Sequence, residues 1–182
     1  MALKVFVLQN NESEKKRRDD IQEAVAKYLK SDSVRVVYDQ NGKPSLENSP
    51  KKLYISITCA HKVMLVVLFE KHIGIDGEYV PRIVDPKNKI DYPMLAERFF
   101  TVDESEFLRE SAKEQEIENF IKIWIRKEAY IKAANKTLAD FPNFSVVDHT
   151  RFLPKIGNIA LKKFEIKFEG SEDYMFVIAG AI

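Results

Sequence analysis

Hydrophobic and polar positions alternate with a period of two at residues 3–8, and residues 14–30 then place Ile21, Ala24, Val25, Tyr28 and Leu29 at helical spacing. A strand followed by a helix opens the chain. The β-branched run at 34–38 predicts a second strand, and Gln40-Asn41-Gly42-Lys43-Pro44 a turn around an Asn-Gly core. Three apolar runs follow at 53–59, 63–69 and 72–79, joined by connections short enough for antiparallel neighbours, so the pattern predicts a meander. Three prolines mark an irregular link at 80–93. Residues 94–135 then have helical periodicity with a break at 101–104, and 144–147, 159–168 and 174–182 return to strand. This is an α+β chain of two similar lobes, 1–80 and 81–182, each a small antiparallel sheet with a packed helix, and its functional centre is expected where they meet.

Composition narrows the chemistry. A chain of 182 residues suits one domain or two small lobes. Its 29 basic and 28 acidic residues produce no global field for nucleic acid, so any anionic ligand must be met locally. Cys59 is the sole cysteine, which excludes an intrachain disulfide and a Cys-based zinc cluster and fits a reducing compartment. The first apolar run is too short for a secretory signal and no stretch of about 18 apolar residues follows, so a soluble, cytoplasmic protein is expected.

Two acidic groupings stand out. In the segment 117–132, Ile117, Phe120, Ile121, Trp124 and Ile131 share one stripe at about 100° per residue, with Glu128 near its middle and Lys127 and Lys132 on its flanks. A carboxylate on a core-facing stripe must find a partner, and an i,i+4 pair with Lys132 is one answer. In the segment 72–80, Asp76 and Glu78 share a face if the backbone is extended; alternatively, Asp76-Gly77 is a hairpin turn, although Pro81 would cut a returning strand short. If Asp76, Glu78 and Glu128 converge, three hard oxygen donors without Cys or His suit Mg²⁺ rather than zinc. The two lysines would then neutralise a phosphate ester or anhydride.

Gly74-Ile75-Asp76-x-Glu78, followed about fifty residues later by Trp124-x-x-Lys127-Glu128-Ala129-x-x-Lys132, resembles the paired signature of 4′-phosphopantetheinyl transferases. Size and layout resemble the monomeric, pseudo-dimeric class that includes the surfactin-synthetase activator, rather than the short trimeric holo-acyl-carrier-protein synthases. Gly42-Lys43-Pro44, and Arg98-Phe99-Phe100 with Glu104, extend the resemblance over most of residues 17–147. It implies two lobes related by a pseudo-twofold and an active site between them. It also implies Asp76, Glu78 and Glu128 as Mg²⁺ ligands, with Lys127 beside the metal and Lys132 on the pyrophosphate. Gly42, Lys43 and Pro44 would lie at the nucleotide end of coenzyme A, and Thr58 and Arg18 would be further contacts to it. Glu104 is similar to a residue proposed as general base; a helix N-terminal cap within 103–106 is the alternative.

The implied reaction moves the 4′-phosphopantetheine arm of coenzyme A to a serine of an apo acyl, peptidyl or polyketide carrier protein and releases adenosine 3′,5′-bisphosphate. A relative that binds coenzyme A or a carrier without turnover is the alternative. A monomer is expected, with no membrane and no nucleic-acid partner, and Arg82, Lys87 and Lys89 are candidates for docking an acidic partner. One departure stands out: Thr58-Cys59-Ala60 occupies the place of the family's usual Ser-His-Ser, whose histidine touches a coenzyme A phosphate. Cysteine is a poor anion donor at neutral pH.

Overall fold

The computed structural model describes residues 3–85, 87 and 91–182; Lys89, expected in a docking surface, lies outside the described residues. The first half runs β1 (Lys4–Gln9), α1 (Glu14–Leu29), β2 (Arg35–Tyr38), β3 (Pro44–Glu47), β4 (Tyr54–Ala60), β5 (Val63–Phe69) and β6 (Ile73–Tyr79). The second runs α2 (Val80–Val84), α3 (Tyr92–Phe99), α4 (Val102–Glu110) and α5 (Glu116–Ala134), then β7 (Val147–Asp148), β8 (Arg151–Phe152), β9 (Lys155–Ile156), β10 (Ile159–Lys163) and β11 (Tyr174–Gly180). Among the described residues, no helix is long and apolar enough to cross a membrane.

The expected α+β architecture of antiparallel sheets and packed helices is present, but the meander is not. β5 lies between β1 and β4, whereas β6 leaves that sheet and pairs with β11, in the order β6-β11-β10-β9. Burial explains the difference. All seven residues of β5 are buried, and the two neighbours β1 and β4 already take both of its edges. β6 instead runs beside β4 through side chains: Ser56 Oγ accepts the Ile75 N–H at 3.1 Å, and Thr58 Oγ1 donates to Asp76 at 3.1 Å.

The period of two in β5 divides its side chains between two cores. Met64, Val66 and Leu68 pack against Ile21 and Val25 of α1, while Val63, Leu65, Val67 and Phe69 join Ile73, Ile75, Phe176 and Ile178 in a core spanning both sheets. On the other face of β11, Val177 and Ala179 meet Ala129 and Ala133 of α5. Gly74 allows that helix to lie against β6, because a Cβ there would stand 2.0 Å from Ala129 O.

The helical stretch breaks at the expected place and once more. Thr101 caps α4, taking the Glu104 N–H on its hydroxyl while Glu104 reaches back to the Thr101 N–H; residues 111–115 then separate α4 from α5. The expected strand at 144–147 contracts to the two residues of β7, and the one at 159–168 to β10. Arg98-Phe99-Phe100 proves to be packing: both phenylalanines contact Trp124, which also lies against Phe120 and Phe141.

Candidate functional site

Asp76, Gly77 and Glu78 lie on one continuous strand, paired with Val177, Phe176 and Met175, so the hairpin alternative is excluded. Alternation turns Gly74, Asp76 and Glu78 toward α5, and Gly74 sets the distance. Asp76 is 8 % exposed, and Lys132 donates to its Oδ1 at 2.7 Å as well as to Ile75 O at 3.1 Å and Ile57 O at 3.4 Å. Glu78 Oε2 receives Arg82 Nη2 at 3.1 Å across the junction of β6 and α2.

No hydrogen bond or ion pair joins the Glu128 side chain to another described residue. Burial, reinforced by the charges of Asp76 and then Glu78 against the opposing pull of Lys132, raises its pKa to about 7. Burial likewise raises Glu78, with Arg82 opposing and Asp76 adding to it. For Lys132, burial works downward, but Asp76 and Glu128 outweigh it and hold the ammonium above its ordinary range. The i,i+4 answer for Glu128 is therefore displaced, since the hydrogen-bonded partner of Lys132 is Asp76.

The three acids thus gather at the β6–α5 contact, close enough to perturb one another. Among the described residues, no three His, Cys, Asp or Glu side chains yet converge as a ready cation cage. Two of these acids are engaged by cations of the chain itself. The donor chemistry fits a hard divalent cation such as Mg²⁺: all the donors are carboxylate oxygens, and a cation there would offset the burial and like charge that raise the Glu128 pKa to about 7.

Beside the acids opens a cleft of about 1000 Å³ between α1, the β2–β3 turn, β4 and the C-terminal end of α5. Arg18, Gly42, Lys43, Pro44 and Lys132 all line it, so five of the expected coenzyme A contacts come together. Thr58 does not: it is buried with its hydroxyl on Asp76, and Cys59 faces the cleft in its place. Burial raises the Cys59 thiol pKa, and Arg17 and Lys132 draw it back.

Sequence reading favoured Arg18 over its neighbour. Arg18 is neutralised by Glu14 at 2.6 Å and sits over the Tyr38 ring at 4.5 Å. Arg17 lines the same cleft and has no carboxylate partner among the described residues; its Nη1 donates to Asn11 O at 2.5 Å and Glu12 O at 3.0 Å. Helical register could have found it, because Arg17 lies one turn before the buried Ile21 and so faces the body of the protein. Lys43 is tied to the amide oxygen of Asn135, and burial lowers its pKa.

Glu104 and Lys127 lie elsewhere than expected. Both side chains are 0 % exposed, and Lys127 Nζ donates to Glu104 at 2.7 and 2.9 Å and to Phe144 O at 2.6 Å. Glu104 also accepts the Thr101 and Val146 N–H groups at 2.9 and 2.8 Å. With both oxygens engaged twice and no exposure, Glu104 offers nothing to an incoming hydroxyl; the capping alternative describes its surroundings. Lys127 is directed into the Phe141 and Phe144 rings rather than toward Asp76 and Glu78, and burial pulls its pKa down against Glu104.

A family model described as the 4′-phosphopantetheinyl transferase superfamily matches residues 72–176. The chain is also 30% identical over 116 residues to the 4′-phosphopantetheinyl transferase HetI of Nostoc sp. (strain PCC 7120 / SAG 25.82 / UTEX 2576), a match covering 62% of this chain and 46% of that protein. The chain thus spans less than half the length of this relative.

Proposed function

Because the chain belongs to the 4′-phosphopantetheinyl transferase superfamily, we propose that it transfers the 4′-phosphopantetheine arm of coenzyme A to a serine hydroxyl of an apo carrier protein and releases adenosine 3′,5′-bisphosphate. The observation that carries this reading is the continuity of cleft and acids through Lys132, which lines the cleft and is bonded to Asp76. A ligand seated among Arg17, Lys43 and Lys132 would bring its phosphates to the carboxylates.

Asp76, Glu78 and Glu128 would hold Mg²⁺, and the bound ion would supply positive charge against the charge growing on the pyrophosphate oxygens. Lys132 would orient the pyrophosphate and stabilise the departing bisphosphate. Gly42, Lys43 and Pro44 would meet the nucleotide, and Arg17, more than the neutralised Arg18, its outer phosphate. In this reading Glu104 and Lys127 are positioning residues that fix the rotation of α5, and the serine proton passes to a group other than Glu104. The carrier is of the acyl, peptidyl or polyketide kind, and the protein acts as a monomer in the cytoplasm.

The test is incubation with coenzyme A, Mg²⁺ and several apo carrier proteins, with mass spectrometry for the phosphopantetheine increment. Transfer that disappears in Glu128→Gln while the fold persists supports the reading. Coenzyme A binding without an increment on any carrier would instead favour a binding protein, and transfer surviving Glu128→Gln would remove the cation assignment.

A further inference from the structure

Among the described residues, Arg17, Arg18, Lys43, Lys132 and Lys136 line the cleft, and they differ in what holds them. Lys132 is bonded to Asp76, Arg18 to Glu14 and Lys136 to Asp140, so a carboxylate answers each of these three. Arg17 and Lys43 are held by neutral oxygens instead. The Asn11 and Glu12 carbonyls take Arg17, and the side-chain amide of Asn135 takes the Lys43 ammonium. An ammonium only donates, so the amide must turn its oxygen toward Lys43.

The Lys43–Asn135 bond links two walls of the cleft, the β2–β3 turn and the end of α5. Both ends are firmly built. Asp39 Oδ1 accepts the Asn41 and Lys43 N–H groups, each at 2.8 Å, and Asp39 O accepts the Gly42 N–H at 2.9 Å, which fixes the turn. Asn135 closes α5 in a left-handed conformation, φ 58°, with its N–H on Ile131 O. It follows Glu128 and Lys132 at helical spacing, and both Lys132 and Asn135 line the cleft. A lysine on its flexible stem otherwise samples many rotamers. An amide oxygen can hold it without cancelling its charge, whereas a carboxylate would neutralise it toward an anionic ligand.

Resting on the proposed coenzyme A site, we infer that Asn135 is a positioning residue: its amide oxygen fixes the Lys43 ammonium at the cleft wall while leaving it fully charged, so the anionic nucleotide end of the ligand meets a cation already oriented. Such preorganisation strengthens binding by settling the side chain before the ligand arrives.

The experiment measures coenzyme A affinity by calorimetry and its release by stopped flow, at low and high salt, with no carrier protein present so that no transfer occurs. Asn135→Gly, which suits the left-handed backbone, should release coenzyme A about two- to fivefold faster than the wild type. Asn135→Asp keeps the tie but neutralises the ammonium, and should bind about three- to tenfold more weakly, the loss shrinking at high salt. In a Lys43→Met background Asn135→Gly should add no further loss.

Wild-type release by Asn135→Gly, wild-type affinity in Asn135→Asp, or an equal loss from Asn135→Gly with and without Lys43 overturns the inference. If the wild type itself does not bind coenzyme A, the assignment of the cleft to that ligand fails as well; tight binding indifferent to residue 135 removes the role of Asn135 alone. Circular dichroism of each variant confirms the fold.

Discussion

Lys127 and Glu128 are consecutive residues of α5, yet one is closed into the protein with every charge answered while the other is left among like charges with no bonded partner. A rotation of about 100° along the helix separates the two environments. Lys127 points to the α4 side, where Glu104, Thr101, Phe144 and Val146 complete a network. Glu128 points to the β6 side, where burial and then the charges of Asp76 and Glu78 make its ionised form costly. The contrast teaches how to read charge in a fold: satisfied charges hold elements together, and unsatisfied ones keep the capacity to bind.

If that division is right, the largest single effect comes from breaking the sealed pair. Lys127→Met or Glu104→Gln should cost about 3–5 kcal/mol in denaturant unfolding, since either leaves a buried group without its partner. The double variant Glu104→Leu/Lys127→Met should cost less than the sum of the singles, and strict additivity would show that the pair does not act as a unit.

Glu128 should behave in the opposite way. Its folded pKa of about 7 lies above its ordinary 4.5, so between those values the folded state holds a proton that the unfolded state has lost. The contribution of Glu128 to stability without divalent cations should therefore be full below about 4.5, fall as pH rises to about 7 and be gone above it, by about 2 kcal/mol once partial exposure is discounted. Glu128→Gln should flatten this profile; an unchanged slope would place the titration elsewhere.

Gly74 tests the contact that separates the two sides. Gly74→Ala should cost about 1–3 kcal/mol, since the methyl group must displace Ala129 O, and it should weaken Mg²⁺ binding beyond any effect of Gly77→Ala. The smallest effects concern the cleft. Arg17→Gln should weaken coenzyme A binding about tenfold and Arg18→Gln about twofold, because only the second arginine already has a carboxylate. Equal losses would remove the distinction.

Much of this is legible in the sequence. The period of two put Asp76 and Glu78 on one face, the helical period put Glu128 toward the core, and the resemblance joined them to the Gly42-Lys43-Pro44 turn. What failed did so where partners distant in sequence decide. The mate of β6 lies about a hundred residues onward in β11, so three successive apolar runs were mistaken for a meander. Lys127 has a local period no different from that of a solvated lysine; only the return of residues 144–146 and of Glu104 across the helix turns it into an enclosed cation. Arg17 and Arg18 are chemically identical in the sequence, and their partners tell them apart: Arg18 pairs with Glu14 one turn back, whereas Arg17 donates to the Asn11 and Glu12 carbonyls.

The close approach at Gly74 has a consequence for how the protein loses its site. The acids belong to no single element: two ride on a strand and one on a helix, and a backbone-to-backbone contact brings them together. An expanded state that keeps its helices but loosens side-chain packing would retain its far-ultraviolet dichroism and yet lose the site first. Binding at the proposed cation site would thus gauge tertiary order, and the loss of Glu128's raised pKa would register the parting of α5 from β6 before any helix unwinds.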